Sequence, residues 1–349
     1  VDRARARAAD PARAPVAPVA AAITPDPALD RPPGRRLAAW AAGPLVAVPT
    51  LVTGCRLLGT DALTPVPQAL SFLPWLIVPA ALALPLALVA RRRLLAGWAA
   101  LVVGATAWCV QPYGPGATTA RGPVVERLRV LTVNVEFGQA TDELVTAVRR
   151  ERPHLVHVSE CDRACVRTLT AALGTSHPYR AVVDGEGSTG SAILSTRPLT
   201  ARPPIPGAMG MPGATARFGG REVELRLAHP LPPLPGLVDR WKKELGRLER
   251  FAAAHRDSGP VLLAGDFNAS QDHAAFRSVL ATGRLHDAAR LAGSARTPTW
   301  PREGPLPPYV QIDHVLVSDD FRVREVRFLD LAGSDHRAVL AELDLHAGR

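Results

Sequence analysis

Three runs without a charged residue, 37–55, 62–90 and 94–120, set the first limit on how this chain can fold; they are 19, 29 and 27 residues long. Crossing the hydrocarbon layer of a bilayer takes about 20 apolar residues, and uncharged runs of 18 or more are uncommon in soluble cores. Each run carries tryptophan (Trp40, Trp75, Trp98, Trp108), a residue that favours membrane–water interfaces. Pro44, Pro49, Pro74, Pro79 and Pro85 interrupt the runs, which membrane helices tolerate better than soluble ones. The pattern predicts three transmembrane helices within 37–115.

Arginine placement orients them. Arg31, Arg35 and Arg36 precede the first run, and Arg91, Arg92 and Arg93 separate the second from the third, whereas the loop between the first two holds only Arg56 and Asp61. Positively charged loops stay in the cytoplasm, so three crossings deliver everything after about residue 115 to the extracytoplasmic side. Residues 1–36, rich in Ala, Pro, Arg and Asp, read as a disordered cytoplasmic tail. Their apolar stretches are too broken by proline and charge for a cleavable signal peptide.

The overall charge of +9 is misleading in this light. Residues 1–120 hold 11 Arg against 5 Asp, which leaves a net of only +3 for 121–349, where all ten histidines lie. Strong electrostatic capture of nucleic acid therefore has little support. Cys161 and Cys165, four positions apart in that outer part, are either a disulfide of an oxidising compartment or two separate thiols.

From residue 124 onward the pattern alternates strands with helices. Apolar and β-branched stretches at 127–137, 155–160, 192–195, 221–229, 261–268, 312–318, 323–329 and 337–345 read as strands, and 142–150 and 237–255 as helices. Two sheets with helices outside them follow. The proline-rich loops 229–236 and 297–308 sit beside strand ends, where stiff loops can shape a cleft.

Chemistry-bearing residues gather at those strand ends. Asn134 closes one apolar stretch and Glu160 the next; Asp266 and Asn268 close a third; Asp313 opens another, and Asp335 and His336 adjoin the last. A single Asn or Asp at a strand end is usually a turn former. Repetition of the pattern would bring hard oxygen donors and imidazoles to one rim, as Mg²⁺-assisted phosphoryl hydrolysis requires.

The ordered motifs NVE (134–136), SE (159–160), GSAILS (190–195), AHP (228–230), GDFN (265–268), IDH (312–314) and SDH (334–336) resemble the endonuclease/exonuclease/phosphatase superfamily over 124–347. The resemblance implies a DNase I-like four-layer α/β sandwich behind the membrane helices, with Mg²⁺ (or Mn²⁺) as cofactor. It implies metal ligation by Glu160 and Asn134, with Asp335 as a further ligand or water positioner. It implies Asp266 as the base toward water and Asn268, His229 and His336 as donors to phosphoryl oxygens. Asp313 would orient His336. Glu136 stands where some members have Asp, and His157 and His314 match no duty. The chain is also similar to membrane-attached actinobacterial members associated with teicoplanin resistance, some of which act on polyprenyl pyrophosphate. The expected substrate is therefore a lipid-linked phosphate or pyrophosphate met at the membrane, with no protein partner. A cell-surface nuclease, a phospholipid phosphodiesterase and an inactive membrane-anchored binding protein are the alternatives.

Overall fold

The computed structural model describes residues 33–304 and 309–348. Its first part is a helical bundle: α1 (Pro33–Leu58), α2 (Val66–Ser71), a 3₁₀ turn (Leu73–Leu76), α3 (Ile77–Val89) and α4 (Arg93–Val110). Large apolar side chains face outward, with Trp40 80% and Leu94 93% exposed. The interior is built from Ala42, Ala80, Ala83, Ala87 and Ala99, small residues that let helix backbones approach closely. The Thr53 and Thr106 hydroxyls meet inside at 2.9 Å.

Two of these helices, α1 and α4, are long and apolar enough to cross a membrane. The 62–90 run does not form one helix. Pro65, Pro67 and Pro74 lack an amide donor and push the residue before them out of helical geometry. The run divides into α2 and the apolar stretch Leu73–Val89, which is shorter than α1 or α4. Helix α1 already includes residues 33–36; the rest of the tail expected at 1–36 lies outside the described residues.

The second part alternates as the sequence pattern suggests, with additional short elements. In chain order these are β1 (Val124–Asn134), α5 (Thr141–Glu151), β2 (Leu155–Ser159), α6 (Arg163–Leu173), β3 (Tyr179–Val183), β4 (Ser191–Ser195), β5 (Leu199–Arg202), β6 (Gly213–Phe218) and β7 (Arg221–Ala228). Then follow α7 (Val238–His255), β8 (Val261–Asp266), α8 (Ala274–Gly283), β9 (His286–Asp287), α9 (Ala288–Leu291), β10 (Asp313–Val317), β11 (Phe321–Asp330) and β12 (Arg337–His346). The strands form two six-stranded sheets, ordered β11-β12-β1-β2-β4-β3 and β5-β6-β7-β8-β10-β9. Leu128, Val130, Phe218, Leu225, Leu262 and Phe321 fill the space between them. Leu144, Val148 and Leu169 pack α5 and α6 on the outer face of the first sheet. Trp241, Leu245 and Phe276 do the same for α7 and α8 on the second. The result is helix, sheet, sheet, helix, as expected.

Strand direction is what assembles a site. In each sheet the two central strands run parallel, β1 with β2 and β7 with β8, with Asn134 level with Ser159 and Ala228 with Gly265. The residues that end these strands or directly follow them therefore emerge at the same rim. β10 runs antiparallel to β8 with Asp313 opposite Asp266, and β12 antiparallel to β1, so the first residues of those strands reach that rim too.

Candidate active site

Asn134 is the hub of the rim. Its Nδ2 donates to Glu160 Oε1 at 3.0 Å and to Asp266 Oδ2 at 3.3 Å, while its Oδ1 accepts the Glu136 N–H at 2.9 Å. One amide thus ties a carboxylate from each sheet together. Glu160 follows β2 with φ +56°, and its second oxygen accepts the Phe137 N–H at 3.1 Å. The next residue, Cys161, is disulfide-bonded to Cys165, which resolves the choice left open by the spacing and anchors the turn carrying Glu160. The Ser334 hydroxyl donates to the Asn134 carbonyl at 2.7 Å and accepts the His336 N–H at 2.9 Å, fastening the SDH turn to β1.

Asp266 ends β8 within GDFN. The glycine before it cannot be replaced by a residue with a side chain: Gly265 has φ +154°, and a Cβ there would lie 2.0 Å from the Ala228 carbonyl of the adjacent parallel strand. Asp266 Oδ1 accepts the Asn268 N–H at 2.8 Å. Burial, then repulsion from Asp313, push its carboxyl up to about 7, partly offset by His336 and the Asn268 and Asn134 donors.

His336 and Asp313 form a buried pair, Nδ1 donating to Oδ2 at 2.8 Å. Burial alone would disfavour the charged ring, but the Asp313 carboxylate outweighs it, helped by Asp266 and Asp335, and raises His336 to about 10. Its Nε2 lies 3.8 Å from Asp266 Oδ2 and 3.7 Å from Asp335 Oδ1. Trp300 Nε1 holds the other Asp335 oxygen at 2.9 Å. His229, directly after β7, is fully buried with both ring nitrogens unpartnered among the described residues, Nε2 4.0 Å from Glu160 Oε1. Burial lowers it to about 3, so it is a neutral imidazole. Asn268 Nδ2 donates to the Pro230 carbonyl at 3.0 Å, leaving one of its two amide hydrogens free.

All eight expected site residues therefore meet at one rim. His314 and His157 do not join them: His314 is engaged by Asp287 and the Ala269 carbonyl, and His157 lies inside β2. Both expected loops line the cleft, through Pro232, Pro233 and Leu234 on one side and Trp300 on another. Its volume is about 380 Å³, and Gln68, Ser71 and Phe72 of the helical bundle also line it. Sequence reading missed those three and the Trp300 clamp, since nothing local in the chain marks a contact made across such separations.

The donor set suits a hard divalent cation. Glu160, Asp266, Asp313 and Asp335 crowd one rim; among the described residues, buried Asp313 Oδ1 has no partner and no Lys or Arg lines the cleft. Asp266, Asp313 and His336 also place one ligand-type atom each within 4.8 Å of one another. His336 is held as a cation in that trio, which favours a role as donor.

Clustered carboxylates, amides and imidazoles at the rim of a two-sheet sandwich define a metal-dependent hydrolase of phosphoric esters. The chain belongs to the endonuclease/exonuclease/phosphatase family, whose model matches residues 131–336. No curated protein matches it in sequence. Among solved structures, an endonuclease/exonuclease/phosphatase from Beutenbergia cavernae is 21% identical with a TM-score of 0.51, covering 64% of this chain and 72% of its own. Humanized Danio rerio TDP2 is 16% identical with a TM-score of 0.51, covering 62% of this chain and 99% of its own. Truncated Caenorhabditis elegans TDP2 is also 16% identical with a TM-score of 0.51, covering 62% and 98%. These likenesses concern the fold.

Proposed function

We propose that this chain is a membrane-anchored, Mg²⁺- or Mn²⁺-dependent hydrolase that works outside the cytoplasm on a lipid-linked phosphate or pyrophosphate, with polyprenyl pyrophosphate the foremost substrate. The observation that carries the reading is the cleft itself. Apart from its catalytic acids and His336 it is largely apolar, it has no Lys or Arg among its described lining residues, and its wall continues into a bundle that turns leucine and tryptophan outward. A polyanion such as DNA is normally held by rows of cationic side chains. A single phosphorylated head group on an apolar chain needs none.

The anchor comprises three crossings in 37–115, formed by the greater part of α1, Leu73–Val89 and α4, and the catalytic domain spans 124–347. The middle stretch, a 3₁₀ turn and the 13-residue α3, is 17 residues long, somewhat fewer than the about 20 needed to cross a hydrocarbon core. The Cys161–Cys165 disulfide supports an oxidising, extracytoplasmic compartment.

Glu160 and Asn134 would hold the ion, which when bound would supply polarisation of a phosphoryl oxygen and offset charge in the transition state. Asp266 accepts the proton of the attacking water, and its raised pKa suits a base working near neutrality. His336, charged through Asp313, donates to a phosphoryl oxygen as negative charge grows there. Neutral His229 and the free Asn268 N–H donate to others. Asp335, one oxygen fixed by Trp300, positions the water with the second.

The full chain in detergent with Mg²⁺ is expected to release phosphate from a polyprenyl pyrophosphate, to stop with EDTA, and to leave plasmid DNA uncut. Cut DNA with intact lipid would make it a nuclease instead. A reporter fused after His346 that works only in the cytoplasm would overturn the outward placement.

A further inference from the structure

The segment between α1 and α3, most of which falls in the second uncharged run, is fastened along its length to the catalytic domain. Asp61 is buried; one oxygen accepts the Ala275 N–H at the start of α8 at 2.9 Å, and the other lies 3.3 Å from Lys242 Nζ on α7. The Pro67 carbonyl accepts from His273 Nε2 at 2.8 Å. Gln68 Nε2 donates to the Pro233 carbonyl. Trp75 Nε1 donates to the Tyr309 carbonyl at 2.9 Å, and the two rings meet edge-on. A flexible linker would leave such groups to water. Here they fix α2 and the turn after it against the site.

That fixing brings Gln68, Ser71 and Phe72 into the same cleft as Glu160, Asp266, Asn268 and His336. Phe72 stands five positions before the first residue of α3, the helix that enters the apolar bundle. Pro232, Pro233 and Leu234 line the cleft as well, and Leu234 and Phe137 remain 52% and 55% exposed. Apolar wall thus extends from the catalytic acids to the beginning of a membrane helix. A cleft of about 380 Å³ is at the small end of ligand sites. It accommodates a phosphorylated head and the first carbons of a chain, and the remainder of a long chain has to stay in the bilayer.

We infer that the α2 turn is the lipid-recognition wall of the active site: the chain-proximal carbons of a lipid phosphate lie between Phe72 and the Pro232–Leu234 loop, and Phe72 sets the preference for lipid over soluble esters. The inference rests on the lipid-phosphate reading above. It assigns to the membrane part a share of substrate selection as well as anchorage. A substrate so held reaches Asp266 and His336 without leaving the membrane surface, and the tether keeps its effective concentration high.

The test uses the full chain in mixed detergent–lipid micelles with two probes, a long-chain polyprenyl pyrophosphate and the water-soluble bis(4-nitrophenyl) phosphate. Phe72→Ala is expected to lower the ratio of kcat/KM for lipid over soluble ester by about tenfold or more, mainly through KM for the lipid. Phe72→Leu is expected to restore most of that ratio, and Leu234→Ser, at an exposed position with little bearing on folding, to lower it in the same direction. An unchanged ratio in Phe72→Ala and Leu234→Ser, or an equal loss on both probes in both variants, overturns the inference. Wild-type protein that hydrolyses the soluble ester and spares the lipid removes the lipid reading and this inference with it. Wild-type activity on both probes with an unchanged ratio in the variants removes the inference alone.

Discussion

Asp313 shows how one buried carboxylate sets the behaviour of its neighbours. It holds the His336 ring at 2.8 Å and stands opposite Asp266 in the β8–β10 register. Burial and then Asp313 raise the Asp266 carboxyl to about 7, while Asp313 outweighs the burial that would lower the His336 ring and raises it to about 10. With His336 acting as a charged donor, its form is complete below pH about 10 and lost above it, while the basic form of Asp266 grows as pH rises through about 7. Asp313→Asn removes the main charge opposing burial, so the alkaline limb of the kcat profile is expected to move down by more than about one pH unit. A pH–rate series on variant and wild type reads this directly, and an unmoved limb would remove His336 as the charged donor. Asp266→Asn takes away the proton acceptor and keeps the shape. Phosphate release is expected to fall by about a thousandfold with an unchanged circular dichroism spectrum, and retained turnover would remove Asp266 from the mechanism.

At the level of elements, strands were legible where an apolar run was flanked at one end by a polar residue. Such runs gave β1, β2, β8 and β12 within a few positions, and with them Asn134, Glu160, Asp266 and His336. Elements whose apolar signal is short or mixed, such as β3, β6 and α8, were not legible, because their burial depends on neighbours distant in the chain. Proline signals broke the middle apolar run in a way that charge counting overlooked. Within β2, Leu155 faces the layer between the sheets and Val156 and Val158 face the helices. Alternation then places His157 between the sheets, fully buried with neither nitrogen partnered among the described residues. Burial lowers it to about 3, so its folded form is neutral. The stability this leaves is complete above an unfolded pKa of about 6.5 and is lost as pH falls toward 3. His157→Leu removes an unsatisfied polar group and that proton linkage. It is expected to raise the melting temperature, with a gain at pH 5 larger by about 2 kcal/mol than at pH 8. An equal gain at both pH values would show that His157 does not carry the acid sensitivity.

The two parts of the molecule are joined by a charged clasp as well as by the α2 turn. Asp272, just before α8, is fully buried and takes Arg296 through both oxygens at 2.6 and 2.8 Å and Arg56 of α1 at 3.3 Å. Arg296 also donates to the Val110 and Cys109 carbonyls at the end of α4, where a helix leaves carbonyls without partners and favours a cation. Asp272, with Arg296, thus fixes the C-terminal ends of two apolar helices to the catalytic domain. Nothing in the local sequence around Asp272 signals this, since its partners lie far away in the chain and belong to both parts. Neutralising Asp272 leaves two partly buried guanidiniums facing each other, a change that costs about 3 kcal/mol or more when a buried pair is broken. Asp272→Asn is therefore expected to lower thermal stability in detergent. Because the cleft draws one wall from the bundle, lipid hydrolysis should also decline more than hydrolysis of a soluble phosphodiester. Calorimetry together with the two assays distinguishes the outcomes. A single sharp transition at the wild-type temperature, with both activities retained, would mean that the bundle and the catalytic domain do not depend on this clasp for their alignment.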